Sequence, residues 1–309
     1  MTTSLRLPLV GPHGEPVDLA RTLNSHGFAD LAPSSLDETA NTLSLTIRVS
    51  GARPRRIRIG PGSSNSEAQV DVLGPAAGPR VRAAALAGAA HVLRLDHDLS
   101  TFYELIAGDP DLAWACRGAG RMLRSPTVFE DVVKTICTTN CAWGATVRMV
   151  NALVSSLGEP AIGGDEPLTN AFPTPAAMAA APEGFFRDVV RAGYRSPYLV
   201  ELARRVDSGE AELEALATSE GLRSDDDLER TLLELPGIGP YAAAHVMMTL
   251  GRNSRLILDS WTRPKYARLA GRSKRLHDAA IARRFRRYGE DAGLAFWLFL
   301  TRDWIEEQR

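Results

Sequence analysis

The stretch Leu235-Pro236-Gly237-Ile238-Gly239-Pro240-Tyr241-Ala242-Ala243, followed by Leu256-Ile257-Leu258-Asp259-Ser260-Trp261-Thr262-Arg263, decides how the rest of the chain is read. It predicts a helix ending near Leu233–Glu234, a tight Pro/Gly turn, and a second helix from Pro240 to about Leu250. Gly237 and Gly239 permit positive φ and leave no Cβ between the turn and whatever approaches it. Pro240 suits a first helical position, where its missing N–H is no loss. The turn therefore offers free backbone N–H groups at a helix N-terminus, which is an anion site. Asp259 follows Tyr241 by 18 residues, in an apolar run and close to Trp261. An Asp in such a place is ordinarily a helix N-cap. Facing a cleft beside an anion site, it becomes a candidate catalytic carboxylate.

The whole chain sets bounds on that reading. Its 309 residues suffice for two domains with a full-sized core. No run of about 18 apolar residues occurs, so no membrane span is expected. The first residues, Met1-Thr2-Thr3-Ser4-Leu5-Arg6, lack the apolar segment of a secretory signal, and a cytoplasmic protein is expected. Three cysteines, Cys116, Cys137 and Cys141, argue against a disulfide framework, and their spacing suits neither zinc nor an iron–sulfur cluster. The formal charge is −1, but its distribution is uneven. Arg252–Arg287 holds twelve Lys/Arg against two acids, Asp259 and Asp278, while acids collect between Glu210 and Glu229. That split suits a basic half facing phosphate, or simply a solvated Arg-rich surface.

In chain order, residues 1–41 are mixed, with turn signals at Gly11–Gly14 and Pro33–Ser35 and a short helix near Val17–His26. From Thr42 the period becomes two: Leu43, Leu45, Ile47 and Val49, then Ile57 and Ile59, then Val70 and Val72. This predicts three antiparallel strands with one buried face. Arg53, Arg55, Arg56 and Arg58 fall on a turn and an outward face, where exposure is expected. After Pro79 the pattern is helical. The expected fold is mostly α, α+β overall, with an N-terminal domain at 1–88 carrying the sheet and a helical domain at 89–309. A helix from Val128 is interrupted at Thr138-Thr139-Asn140 before another from Trp143, and Asn140 there reads first as a cap.

The hairpin and Asp259, in this order and spacing, resemble the helix–hairpin–helix DNA glycosylase superfamily. The likeness covers roughly Leu93 to Trp304. The break Ile136–Asn140, Arg121–Ser125 and Ala192–Tyr198 resemble its 8-oxoguanine branch. The N-terminal sheet more loosely resembles the small domain of that branch and of 3-methyladenine DNA glycosylase II. The resemblance implies a catalytic role for Asp259 and phosphate contact at Gly237, Gly239, Tyr241 and Ala242. It implies that Asn140 fills the gap left by a flipped base. It also implies that the carbonyls of Leu233, Leu235 and Ile238 hold Na⁺ or K⁺, with no other cofactor required. The partner would be double-stranded DNA containing a damaged base, bound by a monomer.

Tyr241 departs from the bifunctional members, which place there a lysine that attacks C1′. Hydrolysis without a lyase step is the expected outcome. His245 lies one turn after Tyr241, on the same side of its helix. Aligning Ala292–Trp297 with the last helix of the 8-oxoguanine branch puts Phe296 at that branch's base-reading position. A pocket of Tyr241, His245, Phe296 and Trp261 would favour a cationic alkylated base of the 3-methyladenine type. His245 and Phe296 are equally readable as core. An oxidised-purine or mismatched-base enzyme, or a lesion-binding protein without chemistry, remains open at this point.

Overall fold

The alternating apolar residues after Thr42 form the middle of a sheet larger than their period shows. A computed structural model of the chain describes residues 2–182, 184–218, 224–271 and 276–305. Five strands pair antiparallel in the order β1-β5-β4-β3-β2: β1 Thr2–Pro8, β2 Ser35–Asp37, β3 Thr42–Val49, β4 Ala52–Pro61 and β5 Glu67–Leu73. Leu43 faces Ile59, Leu45 faces Ile57, and Ile57 faces Val72, so one face is continuous and apolar. The helix Pro79–Val92 covers that face, and the Ala-rich surface lets Gly88 come close to Ile47. This helix runs unbroken past residue 88, where the sequence places the domain junction.

Two strands escape the sequence reading. Residues of β1 are half exposed along an edge, so its pattern is weak. The short β2 holds only three residues. The expected exposure of Arg55 and Arg56 is overturned: both are buried. Before its pairing with β5 begins, the edge of β4 pairs with another stretch of chain, where Arg56 N–H bonds to the Ile162 carbonyl at 2.9 Å. Arg55 donates to the Pro75 carbonyl at 2.7 Å, and Arg56 donates to the Pro33 carbonyl and to Ser35 Oγ. Hydrogen bonds to fixed carbonyls are what make a buried guanidinium tolerable.

The helical part holds two apolar cores, and the helix Pro240–Thr249 stands between them. Ala242, Ala243, Val246 and Met247 face the core of the helices Val128–Thr138, Trp143–Leu157 and Ser196–Asp207. Ala244 and Met248 face the core of Thr262–Leu269, Asp278–Phe285 and Ala292–Thr301. A helix apolar on all sides is one buried on all sides. Six cations of the basic run pair with acids, some of them from the acidic run. Arg252 pairs with Asp225, and Arg255 with Asp226 and Glu229. Arg263 reaches Asp278, Lys265 reaches Asp303, and Arg284 and Arg287 reach Asp111 and Asp109. Arg272, Lys274 and Arg275 of the basic run lie outside the described residues.

Candidate active site

The hairpin forms as its sequence dictates. The helix Asp225–Leu233 is capped by Ser224, whose side chain accepts from Asp227 N–H. Gly237 turns the chain at φ +79, and an added Cβ would lie 3.0 Å from Tyr198 Cβ. Only glycine satisfies both conditions without strain. Gly239 ends the turn with open space where a Cβ would be, and no side chain caps the helix Pro240–Thr249 that follows. Its first-turn N–H groups, including those of Tyr241 and Ala242, thus lack partners within the helix.

Asp259 sits at a second helix start and faces the same cleft. Its Oδ1 accepts from Trp261 N–H at 2.8 Å and Thr262 N–H at 2.6 Å, while Thr262 Oγ1 accepts from Asp259 N–H at 2.8 Å. This reciprocal capping fixes the carboxylate in place. The two readings of Asp259, cap and cleft carboxylate, are both true of it. The capping bonds go to Oδ1, and the half-buried residue lines the cleft. Its charge acts on Tyr241, whose phenol is raised above its ordinary value mainly by burial; the Thr138 hydroxyl opposes that shift and Asp259 adds to it. Tyr241 therefore stays a neutral phenol beside the acid.

The cleft encloses ≈ 1430 Å³, wide enough for a nucleotide with its sugar and phosphate. It brings together Gly237, Gly239, Tyr241, Ala242, His245, Asp259, Trp261 and Asn140 from the sequence reading, together with Leu233, Leu235 and Ile238. Asn140 is exposed at φ +46, just past the end of Val128–Thr138, and its Nδ2 donates to the Tyr194 hydroxyl at 3.3 Å. The Leu235 carbonyl accepts from Ile238 N–H at 3.2 Å and keeps a second lone pair. Among the described residues no cluster of three or more His, Cys, Asp or Glu is placed to hold a metal.

Phe296 is a correction. It is fully buried against Tyr266 and Phe285 and does not line the cleft; its neighbour Trp297 does. The helix Ala292–Thr301 is buried around its whole circumference, so no apolar period marks which residue faces the cleft. Trp297 Nε1 donates to the Ser25 carbonyl at 2.8 Å, and its ring meets Trp261 at 5.8 Å and Trp304 at 6.0 Å. His26, Gly27 and Phe28 from the N-terminal segment also line the cleft, as does Trp143, whose ring rests on Gly27. Nothing in the local sequence of these residues marks them; only the register of distant segments does.

Beside Tyr241, His245 is buried, with Phe28 at 4.8 Å, His26 at 5.7 Å and Tyr241 at 6.2 Å between ring centroids. Burial depresses its imidazole to about 3, and His26 to about 4. His26 Nε2 lies 2.6 Å from the Leu123 carbonyl, and its Nδ1 accepts from Phe28 N–H at 3.3 Å. Neither lysine of the described residues lines the cleft: Lys134 is buried with Glu130 and the Leu31 carbonyl, and Lys265 with Asp303.

No protein-family model matches the chain. It is 26% identical over 195 residues to a probable N-glycosylase/DNA lyase of Methanothermobacter thermautotrophicus, covering 56% of this chain and 60% of that one. It is 29% identical over 164 residues to the DNA-3-methyladenine glycosylase of Bacillus subtilis, covering 50% of each. The chain thus spans about half the length of the curated relatives that it matches. In fold it is similar to the 3-methyladenine DNA-glycosylase of Archaeoglobus fulgidus, with a TM-score of 0.71 at 21% identity over 97% of this chain and 99% of that one. Both sequence relatives and this fold neighbour are by name DNA glycosylases, the kind of protein that the hairpin and Asp259 resemble.

Proposed function

We propose that this chain is a DNA N-glycosylase, acting as a monomer on duplex DNA. It hydrolyses the N-glycosidic bond of a flipped-out alkylated base without a lyase step. The observation that carries the reading is the placement of Asp259, fixed through Oδ1 and facing a cleft that also holds the uncapped N-terminus of the hairpin helix.

The hairpin N–H groups receive a backbone phosphate, which fixes register without reading sequence. Asn140 enters the stack where the base has left, offsetting the few kcal/mol that flipping costs. As the C1′–N bond breaks, its electron pair leaves with the base and positive charge builds on the sugar. The Asp259 carboxylate stabilises that charge. A water oxygen then bonds to C1′, and Asp259 takes its proton. A base alkylated on a ring nitrogen is cationic before cleavage and departs neutral, so it needs no proton donor. The faces of Trp261, Trp297, Trp304 and Tyr241 suit such a cation. Tyr241 has no amine with which to attack C1′. The carbonyls of Leu233, Leu235 and Ile238 are neutral oxygens suited to Na⁺ or K⁺, which would stiffen the turn.

A second reading, removal of an oxidised purine, is favoured by the helix break that carries Asn140. One experiment separates the readings. Base release is measured from methylated and from 8-oxoguanine duplexes by native protein and Asp259→Asn, with strand breaks scored with and without alkali. Release of 3-methyladenine by native protein alone, with breaks that require alkali, is the expected result. Release of 8-oxoguanine instead selects the second reading. Binding without release from either duplex leaves a lesion-binding protein.

A further inference from the structure

Among the described residues that line the cleft, only Asp259 and Arg263 are of charged types, and burial keeps His245 and His26 neutral. Under the glycosylase reading this cleft receives a polyanion, and its fixed carboxylate repels each phosphate that comes near. Of the six cations of the basic run that pair with acids, Arg263 alone lines the cleft. It stands in the first turn of the helix Thr262–Leu269, close behind Asp259. It also lines an adjoining recess of ≈ 600 Å³ with Leu276, His277 and Asp278, so it stands between the two hollows. Its Nε donates to Asp278 Oδ1 at 2.7 Å, and its Nη2 donates to Oδ2 at 2.9 Å. A guanidinium offers the same two-pronged geometry to a phosphate. The Arg263 and Asp278 side chains are 22% and 51% exposed. An ion pair so open to water contributes little to folding, so the arginine can change partners at small cost. Hydrogen bonding to Asp278 raises the guanidinium pKa, burial opposes the rise, and the Asp259 charge adds to it. The two charged groups of the cleft therefore act on each other.

We propose that Arg263 is a phosphate-binding residue, which leaves Asp278 for a DNA backbone phosphate flanking the flipped nucleotide. The site rests on the glycosylase reading above and deepens it, adding a charged side-chain contact to the neutral N–H groups of the hairpin. The guanidinium offsets the repulsion between that phosphate and Asp259, so the sugar can sit beside the carboxylate. Asp278 is half exposed, so losing this partner costs it little. The contact grips the backbone and reads no base. A purely structural pair would instead only pin the helix Thr262–Leu269 to the helix Asp278–Phe285.

The test measures binding of native protein, Arg263→Gln, Arg263→Lys and Asp278→Asn to a duplex with one tetrahydrofuran abasic site. Salt is varied from low to physiological concentration, and thermal unfolding is followed alongside. The same duplex is then made with one phosphate near the abasic site at a time replaced by an uncharged methylphosphonate. Native protein is expected to lose about 10-fold in affinity at one such position. Arg263→Gln is expected to lose about as much on the unmodified duplex and nothing further at that position, and its salt slope falls by about one. Arg263→Lys keeps the charge and is expected to keep the slope. Asp278→Asn weakens the competing partner and is expected to bind about 3-fold more tightly. A purely structural pair would lower the melting temperature of the variants and leave slope and methylphosphonate profile as in native protein. If Arg263→Gln keeps the native slope and profile, the phosphate contact is refuted, and base release by native protein from methylated duplex leaves the glycosylase reading standing. If native protein neither binds the abasic duplex nor releases a base, that reading fails and the contact falls with it.

Discussion

Two parts of the cleft are built by different means. The part that carries Asp259 and the hairpin consists of short-range backbone devices: a glycine turn, a proline at a first helical position, and a reciprocal cap between residues three apart. The part that holds the aromatic rings is assembled from segments far apart in sequence. Trp297 is tied to the Ser25 carbonyl across 272 residues, and His245 stacks on Phe28 of the N-terminal segment. Under the proposed function, the first part places the charge and phosphate contacts common to any substrate. Under the same proposal the second part holds whatever distinguishes one base from another, and it depends on the N-terminal segment meeting the distant helices.

Breaking the first part is expected to have the largest effect. Asp259→Asn keeps an oxygen to accept from Trp261 and Thr262, so its melting temperature stays close to native. Base release falls about 100- to 1000-fold in single-turnover assays. A fall in melting temperature of several degrees would mean that the carboxylate serves mainly as a cap.

Gly237→Ala attacks the turn instead. At φ +79 and facing Tyr198, an alanine costs roughly 1–3 kcal/mol, read as a lower urea midpoint. Duplex affinity falls with it, while the preference among bases does not change, because the aromatic part is untouched.

Acid titration sharpens the contrast from the other side. His245 and His26 fall from 6.5 to about 3 and about 4 in the folded protein. The unfolded chain therefore takes up protons more readily, so stability is fully present above pH 6.5 and is lost as pH falls through that window. Each ring contributes a slope of about 1.4 kcal/mol per pH unit. Urea midpoints between pH 4.5 and 7.5 are expected to fall less steeply in His245→Phe by about one such slope. Parallel curves would show that His245 is already open to water.

The smallest effect is expected at Trp261, whose ring is partly exposed and rests on Trp297, Trp304 and Lys265. Trp261→Phe keeps an aromatic face, so stability falls by only about 0.5 kcal/mol. Release of an alkylated base slows, while that of an uncharged base is unaffected.

The legibility of the chain follows the same division. The hairpin, the helix from Val128, its break at Asn140 and the strands from Thr42 were readable, because each rests on periodicity or turn chemistry within about ten residues. Arg55 and Arg56 were not, because an alternating strand reveals two faces without revealing that both are covered. The choice between Phe296 and Trp297 was equally hidden, since a helix apolar all round gives no phase.

The sequence by itself determined where the chain turns and where a helix N-terminus is left uncapped; that Tyr241 takes the place of a lysine is what the resemblance implies. Local backbone sterics and residue identity suffice for those. Only the tertiary structure decided that Asp259 both caps a helix and faces a cleft, that half of the Arg-rich run's cations pair with acids, and that His245 is buried with its nitrogens unsatisfied. These depend on which distant surfaces meet, and burial and hydrogen-bond partners exist only once they have met.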